Sequence, residues 1–419
     1  MKEDIIAGLD IGSTNIRLVV GQKTVDLNGG EELQAIGAVM APTAGVNRGN
    51  INSIEDATSS ISACLEKAER LVGVPLSSVW VGINSPKIKC EKSKGVVVVS
   101  KSDGEIDELD VERAIEAARS LVVPNNYEIL HVIPIKFSID NQEDIKDPIG
   151  MSGLRLEVET LIILGLTNQI KNLVKSIHRT GLEIEGLVLS PLAGAEAVLD
   201  NKQKDLGVAL INIGSTTTSL AVYEEGTLLH AAILPIGSEH ITSDIAIGLR
   251  CPINLAERIK IEYGNSDSAN FSKKDEVDIS DLVKQEKVND NIGLVSRKYI
   301  AEIIEARVEE IFEKVDEELR TIDRSGMLPA GAVLVGGGAM LQDIVETAKT
   351  KLRLPVALGE ARNARVAIDK VKTPDFLSAL GLVVWGSHSQ PLSMANPFKK
   401  NLNNVVNKVQ GLFKKIMPQ

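Results

Sequence analysis

A glycine-centred hairpin pattern occurs twice in this chain. Residues 7–20 read AGLDIGSTNIRLVV and residues 209–223 read ALINIGSTTTSLAVY, so Ile-Gly-Ser-Thr lies between two apolar runs in both places. An apolar run, a turn at glycine and a second apolar run predict a β-hairpin. Because the pattern recurs in the second half of the chain, we predict an α/β protein made of two related halves with a cleft between them.

The composition narrows the classes of function that this chain can have. With 419 residues, 43% hydrophobic and 25% charged, it is typical of a soluble globular protein with more than one lobe. Only 3% of the residues are aromatic and the net charge is −11, which argues against a nucleic-acid binder because phosphate neutralisation needs clustered Lys and Arg. The three cysteines and five histidines are scattered, without the spacing of a disulfide framework or a metal site.

The charged N-terminus, MKEDII, does not have the pattern of a signal peptide. No uninterrupted run of about 18 apolar residues predicts a membrane span. We therefore expect a cytosolic protein.

The spacing of apolar residues predicts the elements that follow each hairpin. Residues 53–72 have helical spacing behind Ser53, a plausible N-cap. Residues 85–163 combine three strand patterns with one amphipathic helix, which predicts a compact α+β insert. Residues 243–325 are mostly helical patterns. Within them, residues 291–322 read as one long helix broken early by NIGLVS, and we expect the polar residues 264–276 to be an exposed loop.

Both hairpins carry groups that bind phosphate in proteins. Turn backbones supply N–H donors, and Gly12 and Gly214 permit the close approach of an anion. Hydroxyl donors surround these glycines: Ser13, Thr14, Thr216 and Thr217. One such hairpin alone is more often an ordinary turn, but two copies followed by a third glycine turn indicate a binding site.

Two further segments have patterns that suit a nucleotide. VLVGGGAML, residues 333–341, is a buried-strand pattern that runs into glycines, which would let a nucleotide lie against the backbone. It lacks the glycine spacing of a dinucleotide-binding turn and the Lys of a P-loop. In LAERIKIEYG, Glu257 and Lys260 are three residues apart and share one helix face, a pattern that a surface ion pair also has.

In this combination the chain resembles the FtsA family of bacterial cell-division proteins, which are actin-like ATPases. The resemblance covers, in order, both hairpins, the insert, the AERIK pattern, the VGGGAML turn and the final segment. It implies the actin-like ATPase fold, in which two duplicated RNase H-like lobes surround a nucleotide cleft, with an FtsA-type, SHS2-like insert and a C-terminal amphipathic helix. The implied segments are 1–84 and 164–200 for the lobe I core, 85–163 for the insert, 201–242 and 326–385 for the lobe II core, 243–325 for a helical insert of lobe II, 386–400 for a flexible linker and 401–417 for the amphipathic helix.

The resemblance also implies roles for individual residues. The phosphates of ATP would be held by the hairpins and their surroundings, through Gly12, Ser13, Thr14, Asn15, Arg17, Gly214, Ser215, Thr216, Thr217 and Gly237. Arg17 stands where relatives often have a phosphate-directed Lys. Glu257 and Lys260 would contact the ribose and the adenine. The adenosine pocket would be lined by Gly336, Gly337, Gly338 and Met340. Asp10 would orient Mg²⁺ through water, since Mg²⁺ usually keeps much of its hydration shell in such sites.

Two positions depart from the pattern of the actin-like fold. The second hairpin usually carries an Asp where this chain has Asn212, and many actin-fold ATPases have a Glu before the proline where this chain has Ser190. An amide or a hydroxyl hydrogen-bonds water, but neither holds the charge that binds a hydrated metal or accepts a proton. Asp10 and Asn212 are the candidate catalytic residues. We therefore expect ATP binding with at most slow hydrolysis.

The last residues form a basic, amphipathic segment. After residues 386–400, apolar residues recur at helical spacing: Leu402, Val405, Val406, Val409, Leu412, Phe413 and Ile416. The lysines include Lys408, Lys414 and Lys415. Residues 396–419 contain five lysines and no acidic residue; because the net charge is −11, the rest of the chain carries −16. A helix docked on the core would have the same stripe, but the linker and the reversed charge favour reversible binding to anionic membrane lipids.

Together these inferences predict an ATP-binding, self-assembling cell-division protein. The resemblance implies FtsZ, other divisome proteins and copies of the chain itself as partners, with FtsZ filaments gripped at residues 243–325. It implies a peripheral location on the cytoplasmic face of the cell membrane at the division septum. Two alternatives stay open, a PilM-like pilus assembly adaptor and a small-molecule kinase. A kinase needs a general base that the cleft motifs do not offer, and neither alternative needs the basic tail.

Overall fold

The computed structural model describes residues 5–25, 31–120, 123–286, 293–366 and 368–388. In chain order its strands are β1 (Ile5–Ile11), β2 (Asn15–Val25), β3 (Glu31–Pro42), β4 (Val46–Asn47), β5 (Asn50–Ile51), β6 (Ser78–Ile83), β7 (Lys89–Val98), β8 (Tyr127–Ile139), β9 (Gln142–Ile145), β10 (Arg155–Leu166), β11 (Glu183–Leu189), β12 (Val208–Ile213), β13 (Thr218–Glu224), β14 (Thr227–Leu234), β15 (Glu276–Asp278), β16 (Leu294–Ser296), β17 (Ala332–Val335), β18 (Val356–Leu358) and β19 (Arg365–Val366). Its α-helices are α1 (Ile54–Val72), α2 (Glu108–Arg119), α3 (Thr167–His178), α4 (Ser190–Val198), α5 (Asn201–Leu206), α6 (Ser238–Leu249), α7 (Ile253–Tyr263), α8 (Ser280–Gln285), α9 (Arg297–Thr321), α10 (Ile344–Leu352) and α11 (Leu377–His388).

Lobe I is built on a six-stranded sheet in the order β11-β6-β1-β2-β3-β19. Its first three strands form an antiparallel meander, and β6 and β11 then run parallel to β1. The predicted first hairpin is confirmed, because every residue of β1 pairs with β2 and the chain turns at residues 12–14. The predicted helix is confirmed as well: α1 follows the N-cap Ser53, whose hydroxyl accepts the N–H of Asp56.

Lobe II repeats this topology in a five-stranded sheet of order β14-β13-β12-β17-β18. Here too the first three strands, β12, β13 and β14, form an antiparallel meander. Strand β17 then pairs parallel with β12, and β18 pairs parallel with β17. The two predicted related halves are therefore present. In β12, Ala209 and Ile211 face the helices of lobe II, while Val208 and Leu210 face the interior between the lobes, the alternation that a strand buried on both faces requires.

The insert lies between β6 and α3 and has its own core. Its antiparallel sheet has the order β7-β10-β8-β9, and α2 packs on β7 and β10. The buried positions of α2 (Val111, Ala114, Ile115 and Ala118) meet apolar side chains of β8 and β10. A capping box of Asp107 and Asp110 begins the helix.

Two helices from distant parts of the chain join the lobes. In α4 every residue but one is buried, and α11 packs along it and along β1. The approach is so close that a Cβ added at Gly381 would lie 1.8 Å from the carbonyl oxygen of Ala193, so only glycine fits there. One continuous apolar core therefore runs from lobe I through these helices into lobe II.

The helical part of lobe II agrees with the sequence prediction in one place and differs from it in another. The predicted break at NIGLVS is present, because residues 294–296 form β16, which pairs with β15, and Ser296 then caps α9 at Arg297. The polar residues 264–276 are not all exposed: Asn265 and Ser266 are each 1% exposed and are bonded to residues at the start of α10. These hydrogen bonds explain why polar side chains are buried there.

Two predicted segment boundaries and one predicted lobe assignment also differ from the observed elements. The boundary at residue 243 falls inside α6, and the linker predicted from residue 386 begins inside α11. Within the predicted lobe II core, β19 pairs with β3 and α11 packs on β1, so the chain returns to lobe I before residue 385. The predicted amphipathic helix at 401–417 lies outside the described residues. No helix among the described residues is long and apolar enough to cross a membrane.

Candidate functional site

The two hairpins meet at the bottom of a cleft between the lobes. Ser13 Oγ lies 2.7 Å from Thr216 Oγ1, although the two residues are 203 positions apart. Each turn is closed in the same way: the N–H of Gly12 donates to Asn15 O at 3.1 Å, and the N–H of Gly214 donates to Thr217 O at 2.8 Å. The duplication thus places two sets of turn N–H groups and hydroxyls opposite each other.

A cavity of about 740 Å³ lies between the hairpins and the helices of lobe II. All the predicted binding residues but one line this cavity: Asp10, Gly12, Ser13, Thr14, Asn15, Arg17, Asn212, Gly214, Ser215, Thr216, Thr217, Glu257, Lys260, Gly336, Gly337, Gly338 and Met340. The exception is Gly237. The structure therefore brings together four separate segments that the sequence places up to 330 residues apart.

Gly237 is buried behind the second hairpin and does not line the cavity. A Cβ on it would lie 2.6 Å from Ser215 O, so glycine lets α6 start directly against the hairpin backbone. The N–H groups of Ser238 and Glu239 donate to Gly214 O at 2.9 Å and Ser215 O at 2.7 Å. Two otherwise free donors of the helix are thereby satisfied, and Gly237 supports the hairpin instead of facing a ligand.

Glu257 and Lys260 lie on α7 and face α6 across the cavity wall. Lys260 Nζ donates to Glu257 Oε2 at 2.6 Å and to Thr242 Oγ1 at 2.8 Å. The Lys260 side chain is 11% exposed and the Glu257 side chain 45% exposed. The pair is therefore not a solvated surface ion pair, and its carboxylate is accessible from the cavity.

The third glycine turn closes the cavity from lobe II. Gly336 has φ +88°, and a Cβ on it would lie 2.2 Å from Asn212 Oδ1. Gly338 packs against the side chain of Ile213. Gly337 faces open space, with only Asp375 Cβ near an added Cβ, at 3.9 Å. Two of the three glycines thus serve packing, and Gly337 keeps the cavity open.

Asp10 and Ser190 form a buried polar corner next to the first hairpin. They are 7% and 1% exposed, and Asp10 Oδ1 and Ser190 Oγ have no hydrogen-bond partner among the described residues. Burial raises the pKa of Asp10, and the positive charge of Arg17 offsets part of this rise. The Ser190 hydroxyl is close enough to lower the pKa of Asp10 slightly, without hydrogen-bond geometry. Such unsatisfied acceptors suit ordered water or a hydrated cation.

Asn212 and Arg17 already have partners in this structure. Asn212 Nδ2 donates to Ser378 Oγ on α11 at 3.0 Å. Arg17 Nε donates to Asp375 Oδ2 at 3.0 Å, so its guanidinium does not point freely to where a phosphate would lie. Both partners come from the segment at the end of the described chain.

Sequence reasoning missed several residues that line the cavity: Gly49, Asn84, Ser238, Glu239, Thr242, Asn254, Asp375 and Ser378. Most come from loops or helix ends without a motif. Glu239 was the most accessible to sequence reasoning, because it is the acidic residue in the first turn of a helix that starts right after Gly237. Among the described residues no cluster of three His, Cys, Asp or Glu side chains could hold a metal directly.

Comparison with known proteins agrees with this architecture. Residues 209–381 match the family described as "Cell division protein FtsA", and residues 86–164 match the "SHS2 domain inserted in FTSA". Cell division protein FtsA of Bacillus subtilis is 37% identical over 383 residues, which cover 91% of this chain and 83% of that protein. FtsA of Pseudomonas aeruginosa is 34% identical, with 93% and 91% covered, and FtsA of Borreliella burgdorferi is 34% identical, with 99% of each covered.

Solved structures show the same fold at lower identity. The PilM-PilN type IV pilus biogenesis complex aligns with a TM-score of 0.62 at 16% identity, covering 91% of this chain and 98% of that one. MreB5 of Spiroplasma citri bound to ADP aligns with a TM-score of 0.51 at 13% identity, covering 97% and 98%. These likenesses show an actin-like fold, as predicted. With relatives above 30% identity over nearly the whole chain, the chain belongs to the FtsA family of bacterial cell-division proteins.

Proposed function

We propose that this chain binds ATP with Mg²⁺ in the cleft, assembles into filaments and tethers FtsZ filaments to the cytoplasmic membrane at the division septum. The observation that carries the nucleotide part is the contact of the two hairpins, with Ser13 Oγ 2.7 Å from Thr216 Oγ1 at the bottom of a 740 Å³ cavity. The actin-fold relative MreB5 was solved with ADP bound, which supports a nucleotide as the ligand.

The residues divide into a phosphate side and an adenosine side. Backbone N–H groups and hydroxyls at residues 12–15 and 214–217 would donate to the phosphate oxygens, as turn donors commonly do. Glu257 would accept from the ribose hydroxyls, and Lys260 would hold that carboxylate in place through their 2.6 Å contact. Gly336, Gly337, Gly338 and Met340 would border the adenosine, with Gly337 leaving room for it.

The buried corner of Asp10 and Ser190 fits a hydrated Mg²⁺. Asp10 Oδ1 is an acceptor without a partner, which suits a water of the metal's hydration shell. When bound, Mg²⁺ would neutralise charge on the phosphates. Binding of the cation would offset the burial that raises the pKa of Asp10 and keep its carboxylate ionised.

Hydrolysis is proposed to be slow. The amide of Asn212 is held by Ser378, and Ser190 offers only a hydroxyl, so neither residue can take a proton from an attacking water. Asp10 remains the carboxylate at the phosphate side, with Asn212 beside it as a positioning group.

The membrane and filament parts follow from family membership and the tail. Relatives with the described architecture are cell-division proteins, and the sequence of this chain ends in a basic amphipathic segment. The helical surface of lobe II at residues 243–325 is our candidate for the FtsZ contact. The PilM alternative rests on a fold likeness at 16% identity, whereas the FtsA relatives reach 37%, so a pilus adaptor is not favoured.

The test of the nucleotide site removes both meeting hydroxyls. Ser13→Ala with Thr216→Ala should weaken binding of a fluorescent ATP analogue by roughly tenfold or more, since each hydrogen bond to a charged group contributes about 1.5–3 kcal/mol. A matched control removes two hydroxyls outside the cavity, by Thr227→Ala with Thr350→Ala. Equal affinity of both double variants, with unchanged melting temperatures, would contradict the site.

A further inference from the structure

A second concave surface lies outside the cleft, at the junction of lobe I and the insert. Two adjoining depressions of about 650 Å³ and 470 Å³ run along α3 and share Lys171 as a lining residue. The two depressions are bordered by α3, and the larger one also by Leu187 of the edge strand β11 and by Glu128 at the start of β8. We call this surface the α3 groove.

The floor of the α3 groove is apolar. Ile170, Val174 and Leu187 line its larger half, and the last two of these are only partly covered by the rest of the molecule. Apolar side chains left partly open at the bottom of a concave surface gain stability when another apolar group covers them.

The rim of the groove is positively charged. Lys171 and Lys175 lie four residues apart on one face of α3, Arg179 is the C-cap residue that follows this helix, and all three are exposed. Lys87 lines the smaller half. Lys87, Lys171, Lys175 and Arg179 form no ion pair with another described residue, although the chain as a whole carries −11.

Stabilisation of the α3 helix explains only some of the cationic side chains on the rim. Cations in the last turn of a helix interact favourably with its dipole, which explains Lys175. It does not explain Lys171 near the start of the helix, or Lys87 on a different segment. Glu128 is the one carboxylate that lines the larger half; burial raises its pKa, and the charge of Lys171 offsets part of the rise.

We propose that the α3 groove binds a short, extended, acidic segment of a partner protein that also carries apolar side chains. Carboxylates of this segment would face the cationic rim, and its apolar side chains would cover the floor. From Lys171 to Arg179, the residue that follows α3, the distance along the helix axis is about 12 Å, at about 1.5 Å per residue. An extended segment of about four residues has this length.

Charge and shape argue against two other occupants of the α3 groove, the last residues of this chain and a lipid surface. The chain's own last residues carry five lysines and no acid, so they would be repelled by the rim. The headgroups of an anionic lipid surface could contact the cationic rim. A planar surface does not reach the apolar floor, however, because the floor lies in the depression between α3 and β11. A peptide satisfies both the rim and the floor.

The experiment uses the full chain and an array of octapeptides that alternate Asp or Glu with Leu, Ile or Phe. The same array with Lys or Arg in place of the acidic residues is the peptide control. The groove variant is Lys171→Glu with Lys175→Glu and Arg179→Glu. The protein control reverses three exposed lysines elsewhere, Lys202→Glu with Lys273→Glu and Lys274→Glu, so that both variants have the same net charge.

The best acidic peptide should bind the wild type and the control variant alike and should lose at least tenfold in affinity for the groove variant. Glu128→Gln, which removes the groove's own carboxylate, should bind this peptide more tightly by about threefold, because the repulsion is gone. A purely structural role of these side chains predicts no gain for Glu128→Gln. ATP-analogue binding should be the same in all variants, which shows that each is folded.

Three outcomes would overturn the proposal. The first is that no acidic peptide binds in preference to its basic counterpart. The second is that the groove variant and the control variant lose affinity equally, which would mean a general effect of net charge. The third is that the groove variant keeps the peptide but loses binding to phosphatidylglycerol vesicles that the control variant retains, which would assign the rim to a membrane.

Discussion

Arg17 Nε lies 3.0 Å from Asp375 Oδ2, and this ion pair joins the first hairpin of lobe I to the segment beside the third glycine turn. The side chains are 16% and 15% exposed, so the pair is largely removed from water. Arg17 also lies over the ring of Phe376. The cation predicted to face phosphate is therefore held at the junction of the lobes by a carboxylate.

This arrangement predicts opposite effects for the two partners on ATP affinity. Arg17→Ala removes a positive charge from the first hairpin and should weaken binding of an ATP analogue by roughly tenfold, the size of one charge-assisted hydrogen bond. Asp375→Asn removes a negative charge and frees Arg17, so it should tighten binding by a few-fold. Fluorescence titration measures both. A loss of affinity in Asp375→Asn would mean that Asp375 mainly holds the lobes together.

Adjacent glycines of the third turn should respond differently to alanine. Gly336→Ala forces a side chain into a positive-φ position and against Asn212 Oδ1, so it should destabilise the protein by about 2 kcal/mol or more. Gly337→Ala meets only open space and should melt like the wild type. Gly337→Asp should also fold, but its carboxylate in the cavity should abolish ATP-analogue binding. Thermal melting and titration of the three variants separate these effects.

The substitution Asn212→Asp tests whether hydrolysis is slow because the second hairpin lacks a carboxylate. The variant restores a charge beside the phosphate side of the cavity, and we expect ATP turnover or its dependence on Mg²⁺ to increase. Without nucleotide the buried charge should lower the melting temperature, because residue 212 is only 7% exposed and loses the hydrogen bond that its amide donates to Ser378. Asn212→Ala is the control for loss of the amide. Brisk turnover by the wild type with Mg²⁺ would refute our explanation of slow hydrolysis.

The insert should lose stability in acid through Asp110. Burial alone would raise the pKa of Asp110, but the Arg113 guanidinium, the Ser100 hydroxyl and two backbone N–H groups hold it below its usual value of 3.8. The stability that this carboxylate contributes is therefore fully present above pH 3.8 and is lost as the pH falls through the lowered pKa.

Asp110→Asn isolates this contribution. At pH 7 the variant should be less stable by about 1–3 kcal/mol, the value of hydrogen bonds to a buried charge. The difference from the wild type should stay constant down to pH 4 and shrink below it. Urea unfolding across this pH range measures the difference, and a gap that grows towards low pH would show that Asp110 is not the group that titrates.

The tail should bind membranes through two separable contributions. Leu412→Glu with Phe413→Glu places charges on the apolar stripe and should abolish sedimentation with vesicles at any salt concentration. Lys408→Gln, Lys414→Gln and Lys415→Gln together leave the stripe and should weaken binding mainly to anionic vesicles, with less salt sensitivity. ATP binding should be unchanged in both. If the first variant still sediments, or melts well below the wild type, the segment packs on the body instead.

Local patterns were enough to predict the elements that carry the site. The hairpins, the α1 helix with its Ser53 cap and the strand before the glycine turn each depend on residues close in sequence, where alternation and capping act. The duplication then suggested a cleft, and the structure brings all but one of the proposed binding residues to it.

The partners of these residues could not be predicted in the same way. Ser378 and Asp375 reach Asn212 and Arg17 from more than 160 residues away, because α11 returns to lobe I after the lobe II sheet is complete. The polar residues Asn265 and Ser266 are buried through hydrogen bonds to residues near α10, which no local pattern encodes. Tertiary contacts decided both cases.

The bonds between the second hairpin and α6 have a mechanical consequence. Gly214 O and Ser215 O accept the N–H groups of Ser238 and Glu239, so the start of α6 is fixed to the backbone of the hairpin. Further along α6, Thr242 accepts a hydrogen bond from Lys260, and Asp244 accepts two hydrogen bonds from the Arg307 guanidinium of α9. Hydrogen bonds therefore connect the hairpin at the bottom of the cleft, through α6, with the 25-residue helix α9, and we expect a displacement of the hairpin to displace α9 as well.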